Sequence, residues 1–251
     1  MAKTNLFQIL ISNEAQHDLP PSLKKSSEGL VSRFPHCEYS LWDNDRIANF
    51  LQKEYEPNVF KAYKSLIPFA YKSDLARYCL LHHFGGWYFD LGIQLAKPKV
   101  VLPLADEINM IFFWDIGESF SPARSFYDCM NGIIYSKPLN PVLRIAINLV
   151  IENCCSKFYG SDSMSPTGPG VLGRAIAIHG KNQSLYDGQF RQLTPNHAQS
   201  NKAYILQDGT IFAWHRSHFI DDPQENDLSY FGLKGGNDYR ILWRDRKVYA
   251  E

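Results

Sequence analysis

The chain has 251 residues, 45% of them hydrophobic and 14% aromatic, with 26 basic and 26 acidic side chains. That composition excludes disorder, collagen and coiled coil, and a single domain of this length buries roughly 70–75% of its unfolded surface. A formal charge of zero weighs against nucleic acid as a main partner, because no basic surplus exists to neutralise a phosphate backbone.

Thr4 to Ile11 (TNLFQILI) is apolar and β-rich and predicts a first strand. Pro20-Pro21 breaks it, and Ser22 to Ser32 reads as a helix. His36 to Trp42 alternates like a short strand, after which Asp43 can cap a helix running to about Lys53. Pro68 stands at the start of a further helix, with apolar residues at Phe69, Ala76, Leu80 and Phe84, and Gly85-Gly86 ends it. Trp87 to Leu95 (WYFDLGIQL) follows as one strand. Ile108 to Trp114 and Gly132 to Tyr135 are β-rich, whereas Pro141 to Phe158 and Pro169 to His179 have helical character. Ala203 to Trp214 reads as a hairpin around Asp208-Gly209. The tail from Asn226 is aromatic, polar and loop-rich. Strands alternating with helices predict an α/β fold with a mixed sheet, in a single domain.

No apolar run reaches the ~18 residues needed to span a bilayer. The N-terminus shows no signal-peptide pattern. The five cysteines (Cys37, Cys79, Cys129, Cys154, Cys155) are odd in number and form no C-x-x-C, which points to a reducing compartment without a disulfide framework or zinc site. A cytoplasmic protein is therefore expected, and the sequon Asn182-Gln183-Ser184 carries little weight.

Chemistry concentrates in one segment. Asp74, Arg77 and Leu81 share a helical stripe, and the strand after Gly85-Gly86 is expected to put Tyr88, Asp90 and Gly92 on one face. A helix presenting Asp and Arg thus hands over to a strand presenting a carboxylate, near enough to converge on one cleft at a strand end. Piece by piece, each feature also reads as an ordinary surface pair, turn residue or helix stop.

Residues 66–95, LIPFAYKSDLARYCLLHHFGGWYFDLGIQL, resemble the sugar-binding region of glycosyltransferase family 32. The matching elements are Ser73-Asp74 followed by Arg77-Tyr78, then the Gly85-Gly86-x-Tyr88-x-Asp90 run. Weaker matches are Tyr39-Ser40-Leu41-Trp42-Asp43, Asn131-Gly132-Ile133-Ile134-Tyr135-Ser136, Thr167-Gly168-Pro169 and Ala213-Trp214-His215, so the likeness covers about residues 4–216, with 217–251 as a tail packing on or lining the cleft. The resemblance implies a GT-A fold, a Rossmann-like mixed sheet flanked by helices. It implies transfer of a sugar from a UDP- or GDP-linked donor, with retention of anomeric configuration, to a glycan or lipid-linked acceptor in surface polysaccharide synthesis. A soluble chain would meet a lipid-linked acceptor peripherally, at the inner face of the membrane. It implies Asp74, Arg77 and Asp90 as catalytic residues, with Asp74 accepting from sugar hydroxyls and Arg77 donating in a fork that Lys cannot copy. The donor site implied is Gln8, Ser73, Asp74, Arg77, Gly85, Gly86, Tyr88, Asp90, Asn131, Gly168 and Pro169. A divalent cation, Mn²⁺ or Mg²⁺, would be held by Asp90 and His215 and would offset charge on the leaving diphosphate.

The sequence departs from the family where the second Asp of Asp-x-Asp would stand, since position 92 is Gly. The expectation is an active enzyme with weakened or dispensable metal, the alternative being a catalytically silent nucleotide-sugar or carbohydrate-binding module. Gly168 to Gly173 satisfies G-x-G-x-x-G, but the preceding polar loop argues against a dinucleotide site. It reads as a turn and helix N-terminus lining the cleft, or as a plain turn. His218 follows His215 by three residues. His82-His83 are expected at a helix C-terminus. Trp42, Tyr88 and Trp214 are expected to fill the core before they stack on a ligand. Asp115, Glu118, Asp187, Asp221 and Asp222 are carboxylates that a double-displacement mechanism could use.

Overall fold

The computed structural model describes residues 4–12, 19–96, 107–116, 128–181, 184–193, 202–215 and 235–251. Of the residues singled out above, Glu118, His218, Asp221, Asp222, Asn226 and the sequon's Asn182 and Gln183 lie outside these.

The described elements, in order, are β1 (Thr4–Ile9), α1 (Pro21–Arg33), β2 (Cys37–Trp42), α2 (Asn44–Glu54), α3 (Pro57–Ser65), α4 (Phe69–Phe84), β3 (Gly86–Phe89) and β4 (Gln94–Leu95). There follow β5 (Met110–Asp115), β6 (Cys129–Ser136), α5 (Pro141–Cys155), α6 (Pro169–His179), β7 (Leu185–Gln192), β8 (Lys202–Ile205), β9 (Ile211–Trp214) and α7 (Tyr239–Arg244). The strands form one mixed sheet in the order β2-β1-β3-β6-β5-β7-β8-β9-β4. β1 runs parallel to both β2 and β3, and β5 parallel to β7. The remaining pairs are antiparallel.

Alternation along the strands divides the interior into two layers. Phe7 and Ile9 of β1 and Met110 and Phe112 of β5 face a core built with α2 to α6. Leu6, Ile111 and Phe113 face a second core that includes Leu30 of α1 and Phe212 of β9. Residues 74–81 of α4 are all buried, which marks α4 as the central helix, covered on every side. Its length from Phe69 to Phe84, and the break at Pro68, agree with the sequence reading. So does α2, whose first turn is capped by Asp43 accepting from the Arg46 amide at 2.8 Å.

The segment Trp87–Leu95 is not one strand. β3 ends at Phe89, the chain turns through Leu91 and Gly92, and β4 resumes at Gln94 beside β9 instead of β1 or β6. The cause is local: Gly92 sits at φ +83° and the Ile93 amide reaches back to the Asp90 carbonyl at 3.4 Å, a turn closed by glycine at its third position. The helix expected to reach Phe158 stops at Cys155. Three elements escaped the sequence reading: α3, β7 and α7. The C-terminal residues are tied to the start of α4. Leu66 bridges to Tyr249, the Ile67 amide bonds the Val248 carbonyl at 2.9 Å, and Asn237 Oδ1 accepts from the Phe69 amide at 2.7 Å.

Candidate active site

A cleft of about 850 Å³ opens where β1 and β3 end, the place where open α/β sheets bind ligands. Among the residues lining it are Ser73, Asp74, Arg77, Tyr88, Asp90, Asn131, Gly168, Pro169 and His215, so most of the sequence-derived site converges. Gln8, Gly85 and Gly86 do not line it. Gln8 is buried and accepts from Tyr39 at 3.1 Å. Gly85 caps the far end of α4 and Gly86 opens β3, packed against Pro138 and the Asn5 backbone respectively.

Arg77 is the hub. Its Nη2 lies 3.2 Å from Asp74 Oδ1 and its Nη1 3.1 Å from Asp90 Oδ1. Nη1 also donates to the Asn131 carbonyl at 2.7 Å, and Nε to the Ser73 carbonyl at 3.3 Å. The guanidinium lies over the Tyr88 ring at 4.4 Å, and Tyr88 donates to Asp90 Oδ1 at 2.7 Å. Burial alone would discourage a charge on Arg77. Asp90, Tyr88 and Asp74 more than offset it, and its pKa is raised. Of its five N–H donors, two are committed to the backbone carbonyls of Ser73 and Asn131, while the charge is shared between Asp74 and Asp90. The fork expected to grip a ligand is thus anchored to the backbone and sits between two carboxylates.

Asp74 is buried within α4, and its two oxygens are held by residues far away in sequence. Asn131 Nδ2 donates to Oδ1 at 2.8 Å, and Thr167 Oγ1 to Oδ2 at 2.8 Å. Asn131 also reaches Tyr78 at 3.0 Å. The Tyr78 hydroxyl lies 3.0 Å from the Thr167 carbonyl and 3.2 Å from that of Gly168. Burial pushes the Asp74 carboxyl above the usual carboxylate range, while Arg77, Thr167 and Asn131 pull it back. Burial also pushes the Tyr88 phenol well up, so it remains a neutral donor to Asp90.

Asp90 is the exposed member of the trio, with 38% of its side chain open. Its Oδ2 packs on Gly132. A Cβ at position 132 would stand 2.9 Å from that oxygen and 2.6 Å from the Tyr204 hydroxyl, so a side chain there would require Asp90 and Tyr204 to shift.

Among the described residues, no group of three His, Cys, Asp or Glu side chains is placed to hold a metal. Gly92 contributes no carboxylate, and its φ of +83° is one that few side chains adopt without strain. Asp90 and His215 nevertheless line the same cleft. One hard carboxylate suits Mg²⁺ or Mn²⁺ when substrate phosphates complete the shell, so the donor set fits a cation that arrives with its ligand.

Of the other carboxylates, Asp115 lines the cleft. Asp187 is engaged elsewhere, by Trp114 at 3.0 Å, Lys181 at 2.8 Å and Gln207 at 2.7 Å. Trp42 is buried in the core, as expected, and the His215 ring stands edge-on to Phe190 at 5.6 Å. The sequence reading missed Lys202, Gln192, Asn237 and Tyr239, which also line the cleft, and did not place Thr167 in the site. The Thr-Gly-Pro turn was a signal for Thr167. None existed for the others, because strand register and the docking of α7 bring them in.

Residues 20–111 match the family described as glycosyltransferase sugar-binding region containing DXD motif. An uncharacterized glycosyltransferase of Acanthamoeba polyphaga mimivirus is 31% identical over 129 residues, 51% of this chain and 48% of that one. Inositol phosphoceramide mannosyltransferase 1 of Schizosaccharomyces pombe is 38% identical over 63 residues, 24% of this chain and 19% of that one. A mannosyl phosphorylinositol ceramide synthase of Saccharomyces cerevisiae is 32% identical over 76 residues, 30% and 19% of the two chains. The match thus spans about half of the viral relative and about a fifth of the yeast ones. The solved structure of PaToxG glycosyltransferase shares the fold, with a TM-score of 0.53 at 17% identity, over 70% of this chain and 69% of that one.

Proposed function

We propose that this chain, whose residues 20–111 match the glycosyltransferases with a DXD-type sugar-binding region, moves a hexosyl group from a nucleotide-sugar to a hydroxyl acceptor with retention of configuration. The observation that carries the reading is Arg77 holding Asp74 and Asp90 together on the wall of one cleft. Asp74, fixed by Thr167 and Asn131, keeps free lone pairs for sugar hydroxyls. Asp90 points its more exposed carboxylate at the space where a diphosphate would sit. A divalent cation bound by Asp90 and His215 together with the donor would offset the charge that grows on the leaving group.

In the retaining reaction the bond from the anomeric carbon to the diphosphate oxygen breaks. The acceptor oxygen bonds to the same face, and its proton passes to the departing diphosphate. No protein nucleophile is required. Asp115 is the described cleft carboxylate, outside the trio, available to a double displacement instead. The names of the yeast relatives make a mannosyl donor and a phosphate-bearing lipid acceptor the first pair to try. Such an acceptor would be met peripherally, on the cytoplasmic side that the unpaired cysteines favour. No helix among the described residues is long and apolar enough to cross a membrane.

The test is release of nucleoside diphosphate from a panel of UDP-, GDP- and TDP-sugars with Mn²⁺, Mg²⁺ or EDTA, for the wild type and Asp90→Ala. Release from one donor, lost in Asp90→Ala, is expected. Tight calorimetric binding of a donor with no release from any would make the chain a silent binding module.

A further inference from the structure

The geometry points to Lys202 as a phosphate-binding cation that faces the donor diphosphate across the cleft from Asp90. The inference deepens the transferase reading and rests on it.

The argument begins with charge. Arg77 is one cation shared between two carboxylates, so the trio that would receive the donor carries a formal charge of −1. A diphosphate brought against it is repelled unless another cation lies close. Position 92 is glycine, so Asp90 has no second acid two residues on to share a cation with. Positive charge supplied by the chain itself is therefore needed more in this protein than where both acids are present.

Sheet topology supplies it. Four residues after Asp90, Gln94 pairs with Trp214 of β9, so the sheet curls until its far edge lies beside the turn that carries Asp90. The His215 amide then bonds the Lys202 carbonyl at 2.9 Å, and Lys202 pairs in register with Gln192 of β7. Lys202, Gln192 and Phe190 share one sheet face with Tyr204, two residues further along β8. The Gly132 contacts anchor that face to the trio: one methyl-sized point lies 2.6 Å from the Tyr204 hydroxyl and 2.9 Å from Asp90 Oδ2. Lys202 and Asp90 both line the cleft. Lys202 makes no ion pair among the described residues and is only half-buried. An ammonium without an acidic partner among the described residues, beside a cleft that holds Asp74, Asp90 and Asp115, is placed for an anionic ligand. A phosphate oxygen suits it as a point charge.

The experiment is calorimetric binding of GDP, UDP, inorganic pyrophosphate and the matching nucleosides, in EDTA and in Mn²⁺. The proteins are wild type, Lys202→Gln and Lys202→Arg, with melting temperatures checked to establish that each is folded. The expected result is a loss of about tenfold or more in nucleoside diphosphate affinity for Lys202→Gln, as for a lost charge-assisted contact. The loss should be larger in EDTA, Lys202→Arg should recover most of it, and nucleoside binding should not change.

Equal diphosphate affinity in folded Lys202→Gln overturns the inference and leaves the transferase reading intact. Unchanged diphosphate affinity with a raised KM for a phosphate-bearing acceptor also overturns it, by assigning Lys202 to the acceptor. Wild-type protein that binds pyrophosphate through Lys202, but no nucleoside diphosphate, keeps the anion site and removes the transferase reading. Wild-type protein that binds neither removes both.

Discussion

Thr167 donates its hydroxyl to Asp74 at 2.8 Å across 93 residues of chain, so the acid of the central helix is set by the loop that opens α6. Thr167→Val keeps the shape and removes the donor from a buried carboxylate, and should cost about 1–3 kcal/mol. Asp74→Ala goes further. It leaves the buried Arg77 with one partner fewer, and should cost about 3–5 kcal/mol. Urea unfolding of the two variants checks the order. An Asp74→Ala protein as stable as the wild type would show that the trio is not a coupled unit.

Gly132→Ala tests the close approach of β6 to Asp90. The added methyl would meet the Tyr204 hydroxyl at 2.6 Å and Asp90 Oδ2 at 2.9 Å, and overpacking of this kind costs about 1–3 kcal/mol. Nucleoside diphosphate release should fall at least tenfold, because Asp90 must move. Unaltered release with full stability would mean that the site tolerates the displacement.

Gly92→Asp restores the missing acid against the preference of the backbone. The φ of +83° makes any side chain there strained, by about 1–2 kcal/mol, although Asp is among the residues that bear it best. Mn²⁺ titrated in the presence of donor should bind about tenfold tighter or more, while the melting temperature falls. A variant with wild-type Mn²⁺ affinity would mean that position 92 does not face the cation.

His82 gives a pH dependence of defined sign. Burial first, then the nearby Arg144 and His83, hold its pKa below the ordinary imidazole value, and its Nδ1 lies 3.0 Å from the Tyr55 hydroxyl. The native state prefers the neutral ring, so the unfolded chain takes up the proton first as pH falls. The stability contribution is complete above about pH 6.5 and is lost below it, toward the lower native pKa. Urea midpoints at pH 7.5 and 5.5 should differ more for the wild type than for His82→Gln. Equal differences would remove His82 from the account.

Local rules make much of this protein legible from its residues alone. Pro68 before α4, Asp43 at the head of α2 and the apolar, β-rich run of β1 depend on neighbours in sequence, and each stands where those neighbours put it. The pairing of Asp74 with Arg77 is one helical turn and was equally visible. The break after Asp90 was missed because WYFDLGIQL has strand composition throughout, and only the left-handed glycine decides otherwise. β7 was missed because LYDGQFRQ mixes polar and apolar residues, and it becomes a strand by pairing with β5 on one side and β8 on the other.

The sequence by itself determined an α/β chain with one chemically dense segment and, through that segment's likeness to a family, the class of reaction to expect. It brought forward Asp74, Arg77 and Asp90, because their spacing lies within one helix and the short strand and turn that follow. Tertiary structure alone decided what surrounds them: Thr167 and Asn131 on Asp74, Gly132 under Asp90, and Lys202 brought round by the curl of the sheet. The residues so gathered stand from about 40 to 110 positions apart. Their convergence depends on strand order and register, which follow from the burial of two whole cores and leave no mark in any short stretch of sequence.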